Sequence, residues 1–252
     1  MNKLLLIGNG TFGQKYFQTL NSFLHVSLTV ASHHNWKELI DQNPDGVLIV
    51  TPPQSHIEIA SYALDRGIPC MIEKPLALSL EEAEQLSWYT APILVNHIHL
   101  FSQGYQAIKK NLDPKLILNI QTIGTSNRPP RDYSELLDYG PHDIAMILDL
   151  TQQFPTSVQC QHDSNLRQYL INMQFDGFQT SSIIGHDENK RRSLTVNDGF
   201  YVYDQEVSAD FPLTTALDVF IGAINGVPDN RVGLELPLKV MQVLETCQKS
   251  LS

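Results

Sequence analysis

Four groups of residues in this chain have the types and spacing to do chemistry. Gly8-Asn9-Gly10-Thr11-Phe12-Gly13 is a G-x-G-x-x-G turn fed by the apolar run Leu4-Leu5-Leu6-Ile7. Gly8 allows a tight turn, Gly10 leaves room for backbone to approach a pyrophosphate, and Gly13 lets the next helix pack against the sheet. Unpaired N–H groups at that helix start suit an anion. Thr51-Pro52-Pro53 and Glu73-Lys74-Pro75 each follow an apolar strand. A lysine beside a glutamate at a strand end sits where burial or pairing can tune its charge, although a solvated loop is the plain alternative. Asp138 and His142 stand four residues apart, and Arg128 and Arg131 flank two prolines in a polar loop. The arginines suit a carboxylate or phosphate, with a solvated loop equally open.

The elements that must position these groups alternate at short spacing. Strands are expected at residues 4–7, 25–31, 47–50, 70–72 and 93–95, with helices at 12–22, 35–42, 55–66 and 79–89 between them. That is the pattern of a doubly wound parallel sheet, whose ligands bind beyond the carboxyl ends of the strands. After residue 100 the rhythm changes. A helix near 102–111 leads to a strand at 115–123, a loop at 124–133 and a helix at 141–151. Pro141 favours a helix beginning there, with Asp138 available as its cap. β-rich runs separated by Asp-Gly and Asn-Asp-Gly turns occupy 156–209, and helices near 213–225 and 235–249 follow. The expected fold is therefore α/β: a nucleotide-binding domain at 1–98 and an α+β domain at 99–252 with a mostly antiparallel open sheet.

Composition narrows the function classes. The 252 residues carry a net charge of −10 without a basic cluster, which disfavours a nucleic-acid partner. No apolar stretch approaches membrane-spanning length, and the first apolar run is too short for a signal-peptide core. Cys70, Cys160 and Cys247 lack C-x-x-C spacing and read as reduced thiols of a cytoplasmic protein. His97-x-His99 places two histidines on one face of an expected strand, but no third ligand has matching spacing, so no metal site is expected.

In their order along the chain, the glycine turn, Thr51-Pro52-Pro53 with His56, Glu73-Lys74-Pro75 and Asp138-Tyr139-Gly140-Pro141-His142-Asp143 resemble the Gfo/Idh/MocA oxidoreductases, the glucose–fructose oxidoreductase and inositol dehydrogenase family. The resemblance implies a Rossmann domain, an NAD(P)-dependent dehydrogenase or reductase acting on a sugar, cyclitol or related polyol derivative, and a homo-oligomer formed through the second sheet. It implies Lys74, Asp138 and His142 as catalytic residues. The cofactor would meet Gly8, Gly10, Thr11, Phe12, Gly13, Ser32, His33, Thr51, Pro52, Pro53, His56, Glu73 and Lys74. The substrate would meet Asn96, Arg128, Arg131 and Tyr139. Such a histidine exchanges the hydroxyl proton while the lysine stabilises the developing oxyanion. Ser32-His33-His34 replaces the family's ribose-holding acid, which leaves NAD or NADP open with a lean to NADP. The arginine that often follows Asn96 in the family is missing, and Ser134-Glu135-Leu136-Leu137 replaces its glycine cluster. A dinucleotide- or sugar-sensing protein on the same fold is the main alternative, and a metal hydrolase on His97 and His99 a distant one.

Overall fold

The computed structural model describes residues 1–32, 34–207 and 210–251. The chain divides into two compact units, one of 1–96 with 213–237, the other of 97–212 with 238–252. The expected boundary at residue 98 is close to the first crossing. The expectation of two continuous halves is corrected, because 213–237 returns to the first unit.

That unit contains β1 (Asn2–Ile7), α1 (Thr11–Leu20), β2 (Val26–Ala31), α2 (Trp36–Ile40), β3 (Gly46–Ile49), α3 (His56–Leu64), β4 (Cys70–Glu73), α4 (Leu80–Glu84) and β5 (Ile93–Asn96). The five strands are all parallel, in the order β2-β1-β3-β4-β5. Leu4 to Ile7, Val47 to Ile49, Cys70 to Ile72 and Ile93 to Val95 are buried, as a sheet covered on both faces requires. The order reverses between β1 and β3, and the glycine turn leaves β1 at that switch point.

The second unit contains α5 (Gln103–Asn111), β6 (Asn119–Ser126), α6 (Glu135–Thr151), β7 (Ser157–Asp163), β8 (Gln168–Gln174), β9 (Gln179–His186), β10 (Arg191–Val196) and β11 (Tyr201–Asp204). In the first unit, α7 (Pro212–Ile224) brings Phe220 and Ile224 onto Gly46 of β3. The last helix, α8 (Glu235–Leu251), puts most of its length in the second unit. The six strands are ordered β11-β10-β6-β9-β8-β7 and pair antiparallel except β6 with β9. α6 lies on β6 and β9 and is buried along nearly its whole length.

α6 corrects the expected helix start. It begins at Glu135, where the Ser134 side chain accepts from the Leu137 amide and two acids favour the first turn. Pro141 therefore lies inside the helix, where it removes the amide that would have bonded the Leu137 carbonyl. β6 likewise runs to Ser126, past the expected end at 123, since its pairing with β9 continues to His186.

Candidate functional site

In the first unit the glycine turn is held by close contacts. Gly8 has φ +114, and a Cβ there would stand 2.5 Å from the Val50 carbonyl oxygen. A Cβ on Gly13 would overlap the Gly8 carbonyl oxygen, so the turn and α1 are in direct backbone contact. Gly10 differs: a Cβ there meets nothing within 4 Å. Gly10 is also the N-cap of α1, which has no side-chain cap and no acid in its first turn. Thr11 and Phe12 are exposed on that turn. An uncapped helix start facing open space suits a phosphate.

The neighbouring strand ends are braced by buried polar groups. Tyr16, on the inner face of α1 with Gly13 and Leu20, donates its hydroxyl to Glu73 Oε1 at 2.6 Å. Asn96 Nδ2 donates to Tyr16 Oη at 2.7 Å and to Glu73 Oε1 at 2.8 Å. Glu73 and Asn96 are register partners at the ends of β4 and β5. Burial first, then the Glu73 charge, pushes the Tyr16 phenol far above its ordinary range, so it remains a donor. Glu73 Oε2 accepts from the Lys74 amide at 3.2 Å. Lys74 is buried, with a cis bond to Pro75. Asn96 thus turns its amide toward Tyr16 and Glu73, while its buried Oδ1 has no hydrogen-bond partner among the described residues.

His56 is fully buried, with Nδ1 2.9 Å from the Pro75 carbonyl and Nε2 2.9 Å from the Thr51 carbonyl. It ties together the loops after β3 and β4 and presents no nitrogen outward. Burial lowers its pKa, opposed by those carbonyls. Thr51 Oγ1 accepts from Ser55 Oγ at 2.8 Å, Pro52 precedes a 3-10 turn, and Pro53 is buried within that turn. Ser32 donates its amide and hydroxyl to Asn35 Oδ1, both at 2.8 Å. His33 lies outside the described residues.

In the second unit, Asp138 and His142 lie on one side of α6, one turn apart, and both are buried. Asp138 Oδ2 accepts from Arg131 Nε at 3.1 Å and stands 3.8 Å from Arg128 Nη2. Arg128 lies over the Tyr139 ring, 5.3 Å from its centroid, and Arg131 lies 5.9 Å from that of Tyr133. Burial and the Asp138 charge push the Tyr133 phenol up to about 12.

His97 and His99 are not alternate residues of a strand, because β5 ends at Asn96 and Ile98–Phe101 forms a 3-10 turn. Among the described residues no group of three or more His, Cys, Asp or Glu is placed to hold a metal. His99 instead packs edge-on against His142, with ring centroids 4.9 Å apart, and its Nδ1 is 2.9 Å from Tyr203 Oη. Burial raises the Tyr203 phenol above its ordinary range. Behind His142, Asp143 pairs with Arg192 in full burial. A Cβ on Gly124 would collide with both partners, so this glycine makes room for the pair. Sequence reasoning missed Tyr16, Tyr203 and Arg192, and weighed His99 only as a metal ligand. Only Tyr16 carried a local signal, its spacing of three from Gly13 on the buried side of α1.

Comparison with known proteins joins these observations. Residues 18–91 match the Gfo/Idh/MocA family model, an oxidoreductase family with an NAD-binding Rossmann fold. Over 120 residues the chain is 28% identical to UDP-N-acetylglucosamine 3-dehydrogenase of Acidithiobacillus ferrooxidans, covering 46% of this chain and 38% of that protein. Over 163 residues it is 25% identical to scyllo-inositol 2-dehydrogenase (NAD(+)) of Bacillus subtilis, covering 62% and 42%. The aligned stretch thus spans about two fifths of these relatives. The solved structure of the Acidithiobacillus enzyme superposes with a TM-score of 0.84 at 17% identity, covering 99% of this chain and 97% of that one. Biliverdin reductase of Synechocystis, solved with biliverdin and NADP+, superposes at 0.78 with 22% identity and 98% of each chain. Its matched Rossmann segment and a fold shared along the full chain make the protein similar to the Gfo/Idh/MocA oxidoreductases.

Proposed function

We propose that the protein is an NAD(P)-dependent dehydrogenase or reductase that interconverts a hydroxyl and a carbonyl on a sugar, cyclitol or related polyol derivative. The observation that carries this reading is the uncapped start of α1 at Gly10, open to a phosphate, at the switch point of a parallel sheet. Asn96 Oδ1, a buried acceptor without a partner among the described residues, also fits a ligand near these strand ends. Gly8 to Gly13 would receive the pyrophosphate, with Ser32 and the loop Thr51-Pro52-Pro53 beside it. His56 serves by holding that loop to Pro75. The nicotinamide, when bound, supplies a two-electron hydride acceptor or donor.

The chain's own residues manage the proton. His142 takes the hydroxyl proton in oxidation or returns it in reduction, with Asp138 its acidic neighbour on α6. Lys74 carries the cation that stabilises the oxygen as negative charge develops. Between Ala31 and Lys37 there is no carboxylate to hold a ribose 2′-hydroxyl, which favours NADP over NAD. The Bacillus subtilis relative is an NAD(+) dehydrogenase, and the Synechocystis biliverdin reductase was solved with NADP+. Exposed Ile183 and Val202 on the open sheet support a homo-oligomer through that face. No helix among the described residues is long and apolar enough to cross a membrane.

The test is to titrate NADH and NADPH by fluorescence, then screen polyols and their oxidised forms at the nicotinamide absorbance band. Lys74→Ala is expected to lower turnover at least a thousandfold while leaving dinucleotide affinity within about threefold. Unchanged turnover in that variant sinks the assignment.

A further inference from the structure

Arg128 and Arg131 do more than their sequence neighbourhood requires. Both converge on one oxygen of Asp138, a carboxylate that is itself 3% exposed. One guanidinium suffices to neutralise one buried carboxylate, and bringing a second to the same oxygen sets two like charges side by side. The other nearby acid of the first helical turn, Glu135, is engaged by Arg167. The chain has only 17 basic residues against 27 acidic ones, so placing two arginines on one carboxylate is an uneven use of its cations. Each guanidinium also lies near a tyrosine ring, which restrains it. Yet the two side chains remain 37% and 38% exposed. Two restrained, partly exposed guanidinium groups side by side form a receptor for an anion, and their planar shape matches a carboxylate or phosphate.

The position assigns the anion's part. Asp138, which anchors both arginines, precedes His142 by one turn, or about 6 Å along the axis of α6. An anion there lies too far along the helix to be the reacting group and close enough to be a substituent of the same molecule. We infer that the substrate carries an anionic substituent, a carboxylate or a phosphate, received by Arg128 and Arg131 one helical turn from His142. This rests on the oxidoreductase reading for His142. The receptor stands on the arginines alone. It selects acidic or phosphorylated sugars over their neutral parents.

Calorimetric titration of the full chain with glucuronate, glucose 6-phosphate and UDP-glucose, against glucose and myo-inositol, tests the inference. At least one anionic probe is expected to bind tenfold or more tightly than both neutral ones, with the advantage shrinking as salt rises. Arg128→Gln removes the more distant partner of Asp138, and Arg131→Lys keeps a cation on the buried carboxylate, so both variants retain the anchor's charge balance. Each is expected to weaken the anionic probe at least fivefold, and circular dichroism melts verify folding. No anionic preference in the wild type, or a preference that survives both substitutions, overturns the inference. NADPH weakened as much as the anionic probe, with NADH spared, assigns the pair to the cofactor's phosphate and also overturns it. Nicotinamide fluorescence separates the two readings: an arginine-dependent anion preference in a protein that binds no dinucleotide keeps the receptor and removes the redox assignment.

Discussion

Replacing Tyr16 by Phe isolates one hydroxyl in the brace that joins α1 to the ends of β4 and β5. The ring is fully buried, and Phe preserves its packing, so the apolar contribution is nearly unchanged. Two hydrogen bonds disappear: the 2.6 Å bond given to Glu73 Oε1 and the 2.7 Å bond taken from Asn96. A bond to a charged group contributes about 1.5–3 kcal/mol and a neutral one about 1 kcal/mol. Glu73 keeps the Asn96 amide at 2.8 Å and the Lys74 amide at 3.2 Å, so its carboxylate is not orphaned. That places the loss near the lower end, about 2.5 kcal/mol in a urea melt. Because Glu73 also fixes the Lys74 backbone, kcat/KM is expected to fall about tenfold, with dinucleotide affinity little changed. A Phe variant within about 0.5 kcal/mol of wild type and equal to it in turnover refutes the brace.

Two further perturbations probe buried charge. Asp143→Asn leaves Arg192 buried without its carboxylate and is expected to cost about 3–5 kcal/mol in denaturant melts, whereas Asp143→Leu with Arg192→Met recovers most of it. A single variant as stable as wild type refutes the pairing. For His56, burial lowers the ring pKa below its ordinary 6.5, so the unfolded chain takes up the proton first. Its contribution is full above pH 6.5 and is lost as pH falls from there toward the folded value. His56→Gln is expected to flatten the fall in stability between about pH 7.5 and pH 5.5, and an unchanged slope in urea melts counts against it.

The parallel sheet was legible because strands buried on both faces must be apolar throughout. Leu4 to Ile7 and Val47 to Ile49 show this in the sequence itself. The glycine turn was legible for a similar reason, since Gly8 and Gly13 sit where backbones touch. The start of α6 was misplaced because Pro141 outweighed the Ser134 cap in a local reading. Residues that meet across long separations left little trace. Tyr16 finds Glu73 57 residues later, Asp143 finds Arg192 after 49, and His99 finds Tyr203 after 104. No helical or strand period links such partners. The spacing of Asp138 from His142 held no sign that two arginines would occupy its carboxylate.

The return of 213–237 to the first unit sets a timetable for synthesis. At about 5–20 residues per second, the ribosome takes roughly 7–30 s to make the stretch separating residue 96 from residue 237. During that interval the first five strands exist without α7, and Gly46 has no Phe220 or Ile224 over it. The Rossmann unit therefore completes its core late, after most of the second unit has left the ribosome. A fragment cut at residue 96 exposes the surface of β3 that α7 covers. Its failure to fold alone would reflect that missing cover, and supplying 213–237 as a linked segment is the direct remedy.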